Sequence, residues 1–230
     1  MLGLIMADEP AARDNQRAAL AAHGPALGDA ATAQATALSR LHPLLRLPLA
    51  ELALPALRAL PAQEKQAALR QIYDLIHADG RISGYEYCLS RLVYRELDAA
   101  LNPRSAWRGE RHTITGSRDA VTLLLTVLAQ YGNPAPERAS VAFQAGMARV
   151  LPRFSRPYAP PSQGVVALES AWSALVGLAP HDKQELVAGA LAVISADGVT
   201  TLTELELLRT VCALLDCPLP LELAAPVPRR

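Results

Sequence analysis

The segment Ile76-His77-Ala78-Asp79-Gly80 occurs again as Ile194-Ser195-Ala196-Asp197-Gly198, 118 residues later. The match continues on both sides without a gap. A self-match at a fixed offset indicates one supersecondary unit that is used twice. Further identities at this offset are Leu60/Leu178, Lys65/Lys183, Gln66/Gln184, Glu86/Glu204, Leu89/Leu207, Arg91/Arg209, Val93/Val211 and Leu97/Leu215.

The first copy carries the signals of a helix, a turn and a second helix. Pro61 sits where a first helical turn would begin, and apolar residues then recur at helical spacing through 68–76. Gly80 is expected to end this helix as its C′ residue with a positive φ. Ser83 and Glu86 have the spacing of a capping box, in which each side chain binds a free backbone N–H of the next helix.

The second copy obeys the same local rules. Pro180 precedes a helix predicted over 181–196, and Gly198 is expected to end it. Thr201 and Glu204 again have the spacing of a capping box. Because the local signals agree at both places, the sequence predicts two helix–(Asp-Gly turn)–helix repeats.

The composition favours helices throughout the chain. Hydrophobic residues make up 51% of the sequence and aromatic residues only 4%, and most of the apolar residues are Ala and Leu. Ala and Leu lose little side-chain freedom in a helix. Since no stretch alternates as a strand does, the sequence predicts an all-α, multi-helix bundle of about nine helices.

The chain divides into five predicted segments. Short, flexible helices are expected in 1–44, the first repeat in 45–101, a linker with a central helix pair and a proline-rich loop in 102–164, the second repeat in 165–217, and a proline-rich tail in 218–230. Within them the expected helices outside the repeat hairpins are one on each side of Gly24-Pro25, short ones around 49–60, and others near 117–131, 136–150 and 165–178, with a loop over 152–164.

The charge balance argues against a nucleic-acid partner. Lys plus Arg equals Asp plus Glu at 22 each, so the chain has no global attraction for nucleic acid or acidic membranes. The longest apolar stretches, near 121–129 and 186–194, are shorter than the roughly 20 residues that span a bilayer. Residues 1–6 are apolar but lack the basic region of a signal peptide. We therefore expect no transmembrane segment and a cytoplasmic location.

Three cysteines give no disulfide framework. Cys88, Cys212 and Cys217 are odd in number and irregular in spacing, which favours a reducing compartment. Cys88 and Cys212 lie in helical patterns and are expected to be small buried apolar groups.

The two Asp-Gly turns have the register of the second half of an EF-hand loop, in which an acidic residue precedes the loop glycine and a glutamate follows six residues after it. The first half of such a loop is missing, because apolar or neutral residues stand where oxygen ligands are needed. Two carboxylates cannot fill the six to eight oxygen sites of Ca²⁺. The residues in the EF-hand register are Asp79, Gly80, Ile82 and Glu86, and Asp197, Gly198 and Glu204.

Two interpretations of these carboxylates stay open. In one, Asp79, Glu86, Asp197 and Glu204 are candidate ligands of a weak divalent-cation site. In the other, each aspartate binds backbone N–H groups across its turn and each glutamate caps the next helix. The chain itself is expected to need no cofactor.

Three further groups of side chains have the composition of a contact site or a reactive site. Tyrosines around the first capping box suit either a contact surface or half-buried packing. Arginines beside a tryptophan suit either an anion site or a solvated linker. A histidine near an aspartate lacks the nucleophile that catalysis by such a pair requires. The tyrosines are Tyr85, Tyr87 and Tyr94. The arginines are Arg104, Arg108 and Arg111, beside Trp107, and the histidine and aspartate are His112 and Asp119.

The turn pattern Ala-Asp-Gly-x-[Ile/Val]-[Ser/Thr]-x-x-Glu resembles that of the TerB-like (tellurite-resistance) helical domain; it occupies 78–86, and 196–204 with Thr200 at the aliphatic place. The runs 52–60, 76–86 and 89–92 resemble the region that follows the catalytic domain in bacterial membrane-bound zinc metallopeptidases of the HtpX type. Residues 196–218 are similar to the end of those chains. The similarity extends over 45–220.

This resemblance implies an accessory part without the catalytic domain. The zinc-binding HExxH pattern of those peptidases does not occur in the sequence, so zinc would be held only by a separate catalytic domain. The resemblance implies a non-catalytic interaction or regulatory domain that acts beside a membrane metallopeptidase, with membrane association through that partner or a missing N-terminal part. The alternative is a free-standing TerB-like stress-response module that binds divalent cations or protein partners.

Overall fold

The computed structural model describes residues 1–102 and 112–220 and divides into two compact units, with the boundary between residues 108 and 109. The described residues contain eleven α-helices and two 3-10 helices and no β-strand. A single isolated bridge between His112 and Leu178 is the β-type pairing within those ranges. The predicted all-α, multi-helix fold is confirmed.

The first unit is built around the predicted first hairpin. Its helices are α1 (Leu2–Ile5), α2 (Pro10–Ala21), α3 (Leu27–Leu38), a 3-10 turn (Pro43–Leu45), α4 (Arg46–Ala59), α5 (Ala62–Ile76) and α6 (Gly84–Leu101). Helix α5 packs against α2 and α6, while α1 contacts both α3 and α5. The fully buried side chains of this unit include Leu20, Leu47, Ile72, Leu75, Leu89 and Leu97.

The second unit has two α-helices before its 3-10 helix, where the first unit has three, and three α-helices after it, as in the first unit. Its helices are α7 (Arg118–Gly132), α8 (Pro136–Val150), a 3-10 helix (Gly164–Ser170), α9 (Trp172–Val176), α10 (Pro180–Ile194) and α11 (Leu202–Leu214). Helix α7 is central, because it contacts α8, α10, α11 and the 3-10 helix. Its side chains Val121, Leu124, Leu125, Val127 and Leu128 are fully buried, and Phe143 of α8 is the largest fully buried side chain of the chain as described.

The two hairpins coincide in register. Helices α5 and α10 both begin and end 118 residues apart, and α6 and α11 begin at the same offset. The predicted helices on each side of Gly24-Pro25, near 117–131 and near 136–150 are also present as α2, α3, α7 and α8. Burial of Cys88 and Cys212, at 1% and 2% exposure, is confirmed as well.

The expectation of several short helices around 49–60 is wrong. One continuous helix, α4, spans Arg46–Ala59 with Pro55 in its interior. Pro48 lies in the first turn, where a backbone N–H has no helical partner to lose. Leu47, Ala50 and Leu54 bury one face of the uninterrupted helix, and that burial outweighs the preference of proline for breaking it.

The expectation of one helix over 165–178 is also wrong. A 3-10 helix ends at Ser170 and a separate five-residue helix, α9, follows it. A tertiary contact ends α9, because the His112 N–H donates to the Gly177 carbonyl (2.8 Å) and the Ala179 N–H donates to the His112 carbonyl (3.0 Å). These bonds draw the backbone after Val176 out of the helix.

Some predicted features lie outside the described residues. They include Arg104, Trp107, Arg108 and Arg111 of the linker and most of the proline-rich tail. Between Leu151 and Gln163 the structure has no helix, as the proline content of 152–164 predicts. Within the described ranges, no helix combines enough length with enough apolar character to cross a bilayer.

Candidate functional site

Each Asp-Gly turn follows its helix as a separate tight turn. The helices end with His77 and Ser195 as C-caps, and Gly80 and Gly198 follow three residues later with φ of +73° and +74°. The predicted positive φ is confirmed, but the predicted C′ position is wrong. The reason is an intervening turn, in which the Gly80 N–H donates to the His77 carbonyl at 3.2 Å.

The helix starts differ slightly from the sequence prediction. Pro61 is the N-cap of α5 with an extended backbone, whereas Pro180 is the first residue of α10. Both prolines lie where no helical N–H is needed, so either place is compatible with their missing donor.

The turn aspartates bind the main chain. Oδ1 of Asp79 accepts the Arg81 N–H at 3.0 Å, and Oδ1 of Asp197 accepts the Val199 N–H at 2.9 Å. This is an Asx turn, in which the side chain replaces a backbone acceptor across the glycine. Both aspartates therefore accept a backbone N–H across their turn, which is the bonding that the second interpretation describes.

The first capping box is complete. Oε2 of Glu86 accepts the Ser83 N–H at 2.9 Å and the Ser83 hydroxyl at 2.8 Å. The Ser83 Oγ in turn accepts the Glu86 N–H at 3.2 Å. The box satisfies two N–H groups at the start of α6 and fixes the Glu86 carboxylate at the helix N-terminus, where the helix dipole favours a negative charge.

The second capping box repeats the first. Oε2 of Glu204 accepts the Thr201 N–H and the Thr201 hydroxyl, both at 2.8 Å. The Thr201 Oγ1 accepts the Glu204 N–H at 3.3 Å. Both predicted capping boxes are therefore confirmed.

The second carboxylate oxygen of Glu86 binds a residue that the sequence analysis missed. Oε1 accepts the Gln16 side-chain amide at 3.0 Å, and Gln16 Oε1 accepts the Ala7 N–H at 2.7 Å. Gln16 is only 1% exposed. It lies one turn before the buried Leu20 of α2, so a polar residue in the apolar stripe was the available signal. Gln16 thus ties the first hairpin to α2 and to the segment after α1.

Glu204 is more deeply buried than a helix-capping residue usually is. It is 1% exposed, and its carboxylate rests on the last residue of α7, Gly132. Burial raises the pKa of Glu204, and the charge of Asp197 raises it further, while the bonds from Thr201 act in the opposite direction. Burial is the largest of these effects.

The carboxylates are thus placed in pairs, one pair to each hairpin. Asp79 and Asp197 are exposed, whereas Glu86 and Glu204 are buried beneath their turns. Each carboxylate uses at least one oxygen to accept a main-chain N–H. In the part of the chain that the structure describes, no group of three or more His, Cys, Asp or Glu side chains is placed to hold a metal ion.

The other candidate side chains take part in packing and ion pairs. Tyr87 is 3% exposed, and Tyr85 and Tyr94 are half-buried. This burial agrees with the packing interpretation of the three tyrosines. Asp119 pairs with Arg156 at 3.0 Å, and the His112 ring packs on Gly177. His112 and Asp119 nevertheless line a cavity of about 440 Å³ together with Ser117 and Ser170.

The Cys212 thiol is not poised for chemistry. Burial raises its pKa to about 12, and the nearby Cys217 contributes to the rise. Since the thiolate is the reactive form, Cys212 is held protonated and acts as a small apolar group of the core.

The two hairpins share the bounds of their first helix, the start of their second helix, the turn conformation and the capping bonds, and they differ in what surrounds the glutamate. No protein-family model matches the chain, and no curated protein or solved structure matches it either. The TerB-like character of the Asp-Gly turns therefore stays a prediction. In both hairpins the observed bonds of the turn and cap carboxylates are made to backbone amides.

Proposed function

We propose that the chain is a non-catalytic, all-helical interaction or regulatory domain. Its proposed partner is the catalytic domain of a membrane-bound zinc metallopeptidase, on the cytoplasmic side, as the resemblance of 45–220 implies. The bonding of the turn and cap carboxylates supports the non-catalytic part, because these conspicuous acids hold main-chain amides. Zinc and its chemistry would belong to the partner.

The observation that carries an interaction role is the second apolar face of α4. Leu47, Ala50 and Leu54 bury the inner face of the helix. On another face Leu45, at the N-cap, is 52% exposed, and Leu52, two turns later, is 79% exposed. Residues seven apart lie on one side of a helix, so these leucines form one exposed apolar strip. Such a strip is typical of a surface that another protein covers.

A binding experiment tests this proposal. The full chain is immobilised and exposed to the purified catalytic domain of an HtpX-type zinc metallopeptidase. We expect specific capture, weakened about tenfold by Leu52→Glu, a change of roughly 1.4 kcal/mol in binding free energy. The matched control is Val141→Glu on α8, since Val141 is 66% exposed and apolar but lies in the second unit. No capture by the unaltered chain, or equal loss in both variants, would contradict the proposal.

The second candidate function is a free-standing module that binds divalent cations. The observation in its favour is the exposure of Asp79 and Asp197, which keeps their carboxylates within reach of solvent ions. Calorimetric titration with Ca²⁺ or Mg²⁺ separates the two candidates. Saturable binding that is lost in Asp79→Ala and Asp197→Ala would favour the cation module over the interaction domain.

A further inference from the structure

An apolar groove of about 370 Å³ runs along α5 in the first unit. Helix α3 and the end of α4 form its other walls, and α1 closes one end with Met1 and Leu2. The side chains that give it an apolar surface include Leu27, Ala30, Ala31, Leu57, Ala67 and Ala68. Glu64 adds a carboxylate to the lining near the start of α5.

The internal repeat shows what covers the matching face in the second unit. Helix α5 corresponds to α10 at the 118-residue offset, so the groove residues Ala67 and Gln71 match Glu185 and Gly189. Both Glu185 and Gly189 face α8. Arg149 of α8 binds the Glu185 carboxylate, and a Cβ on Gly189 would stand 2.0 Å from Val150 Cγ2. Helix α8 therefore covers the face of α10 that corresponds to the open face of α5.

Small residues permit this contact in the second unit. Gly189 of α10 meets Gly146 of α8, where a Cβ would lie 2.4 Å from Val193 Cγ2. In the first unit Gln71 stands in place of Gly189, and it lines the groove between α5 and α3. Helix α1 inserts between them, with Gly3 so close to α3 that a Cβ there would lie 2.5 Å from Gln34 Cβ. Being four residues long, α1 fills only one end of the space.

We propose that this groove binds an amphipathic α-helix of a protein partner, whose contacting face carries small residues as α8 does. This inference deepens the proposed interaction function and rests on it. Helix α8 runs antiparallel to α10, because Gly146 meets Val193 and the later Arg149 meets the earlier Glu185. A partner helix with this orientation brings its C-terminal end toward Glu64, where a basic side chain pairs with the carboxylate and with the helix dipole.

The test uses this chain's own α8 as the probe. A fluorescent peptide with the sequence of 136–150 is titrated into the full chain, and binding is followed by anisotropy. We expect saturable binding that falls about tenfold in Ala30→Trp and in Ala67→Trp, since an indole fills the groove from either wall. Ala33→Trp is the matched control, because Ala33 is an exposed residue of α3 outside the lining. A peptide that carries Gly146→Leu is expected to bind the unaltered chain as weakly as the unaltered peptide binds the groove variants.

The outcomes distinguish the groove from the wider proposal. Absence of saturable peptide binding, or binding that Ala30→Trp and Ala67→Trp leave unchanged while their melting temperatures match that of Ala33→Trp, overturns the groove. If the metallopeptidase domain is still captured in that case, the interaction function survives without the groove. If the peptide binds in the groove but the metallopeptidase domain is not captured, the groove stands and the proposed partner fails.

Discussion

The carboxylate of Glu204 occupies the space that a side chain at Gly132 would need: a Cβ built there would lie 1.8 Å from Oε1 and 2.3 Å from Cδ of Glu204. Glu204 is the capping glutamate of α11, and Gly132 is the last residue of α7. The close approach therefore joins the second hairpin to the central helix of its unit. Glycine at 132 is required by the neighbouring side chain and not by the backbone conformation.

Gly132→Ala is expected to destabilise the chain by about 2 kcal/mol, within the range measured for overpacked cores. The added methyl group must displace a buried glutamate that also holds the Thr201 N–H. Urea unfolding followed by circular dichroism measures the loss. Gly24→Ala is the control, since nothing lies within 4 Å of a Cβ at that position. A change of similar size in both variants would show that the Glu204 contact is not the cause.

The raised pKa of Glu204 predicts a specific pH dependence. The folded chain binds this proton more tightly than the unfolded chain, whose glutamate has its ordinary pKa of 4.5. The contribution of Glu204 to stability is therefore largest below pH 4.5 and falls as the pH rises from there through the raised pKa of the folded state. Above that pKa it stays at its lower value.

The variant Glu204→Gln isolates this effect, because glutamine keeps an oxygen for the Thr201 N–H but does not titrate in this range. Unfolding free energies of the two proteins are measured over a pH series. We expect the unaltered chain to lose stability relative to Glu204→Gln as the pH rises through that window. A difference that is constant, or that changes with the opposite sign, would contradict the account.

Gln16→Met is expected to cost between about 1 and 3 kcal/mol, because it leaves the Ala7 N–H and Oε1 of Glu86 without the amide that binds them. Methionine has a similar volume, so packing changes little. Gln63→Met on the exposed side of α5 is the control. Chemical denaturation compares the two, and equal stability would show that the Gln16 bridge contributes nothing.

Gly80→Ala and Gly198→Ala are each expected to cost about 1 to 2 kcal/mol, the strain of placing a side chain in the left-handed region. Both glycines have positive φ, and nothing lies within 4 Å of a Cβ at either. Asparagine tolerates that conformation, so Gly80→Asn should cost less than Gly80→Ala. Thermal melts of the three variants test this. A loss as large in Gly80→Asn would indicate a contact, not backbone strain.

The hairpins were predictable from sequence because their signals are local. The Asp-Gly turn and the Ser83–Glu86 and Thr201–Glu204 spacings each specify bonds within four residues of chain, and those bonds form as predicted. Helix periodicity likewise predicted α7 and α8 to within a residue or so.

The remaining features depend on distant parts of the chain. Pro55 has a local preference for ending a helix, but the burial of one face of α4 overrides that preference. The break after Val176 follows from pairing with His112, far away in sequence. The bond between Gln16 and Glu86 joins residues 70 positions apart, and the contact between Gly132 and Glu204 is similarly distant in sequence. No local pattern encodes such contacts.

Thermal denaturation in millimolar Ca²⁺ or Mg²⁺ tests whether the four hairpin carboxylates hold main-chain amides and are not metal ligands. We expect the melting temperature of the unaltered chain to be unchanged by either ion, because each carboxylate already accepts a backbone N–H. A reproducible rise of several degrees that disappears in Asp79→Ala would contradict the account.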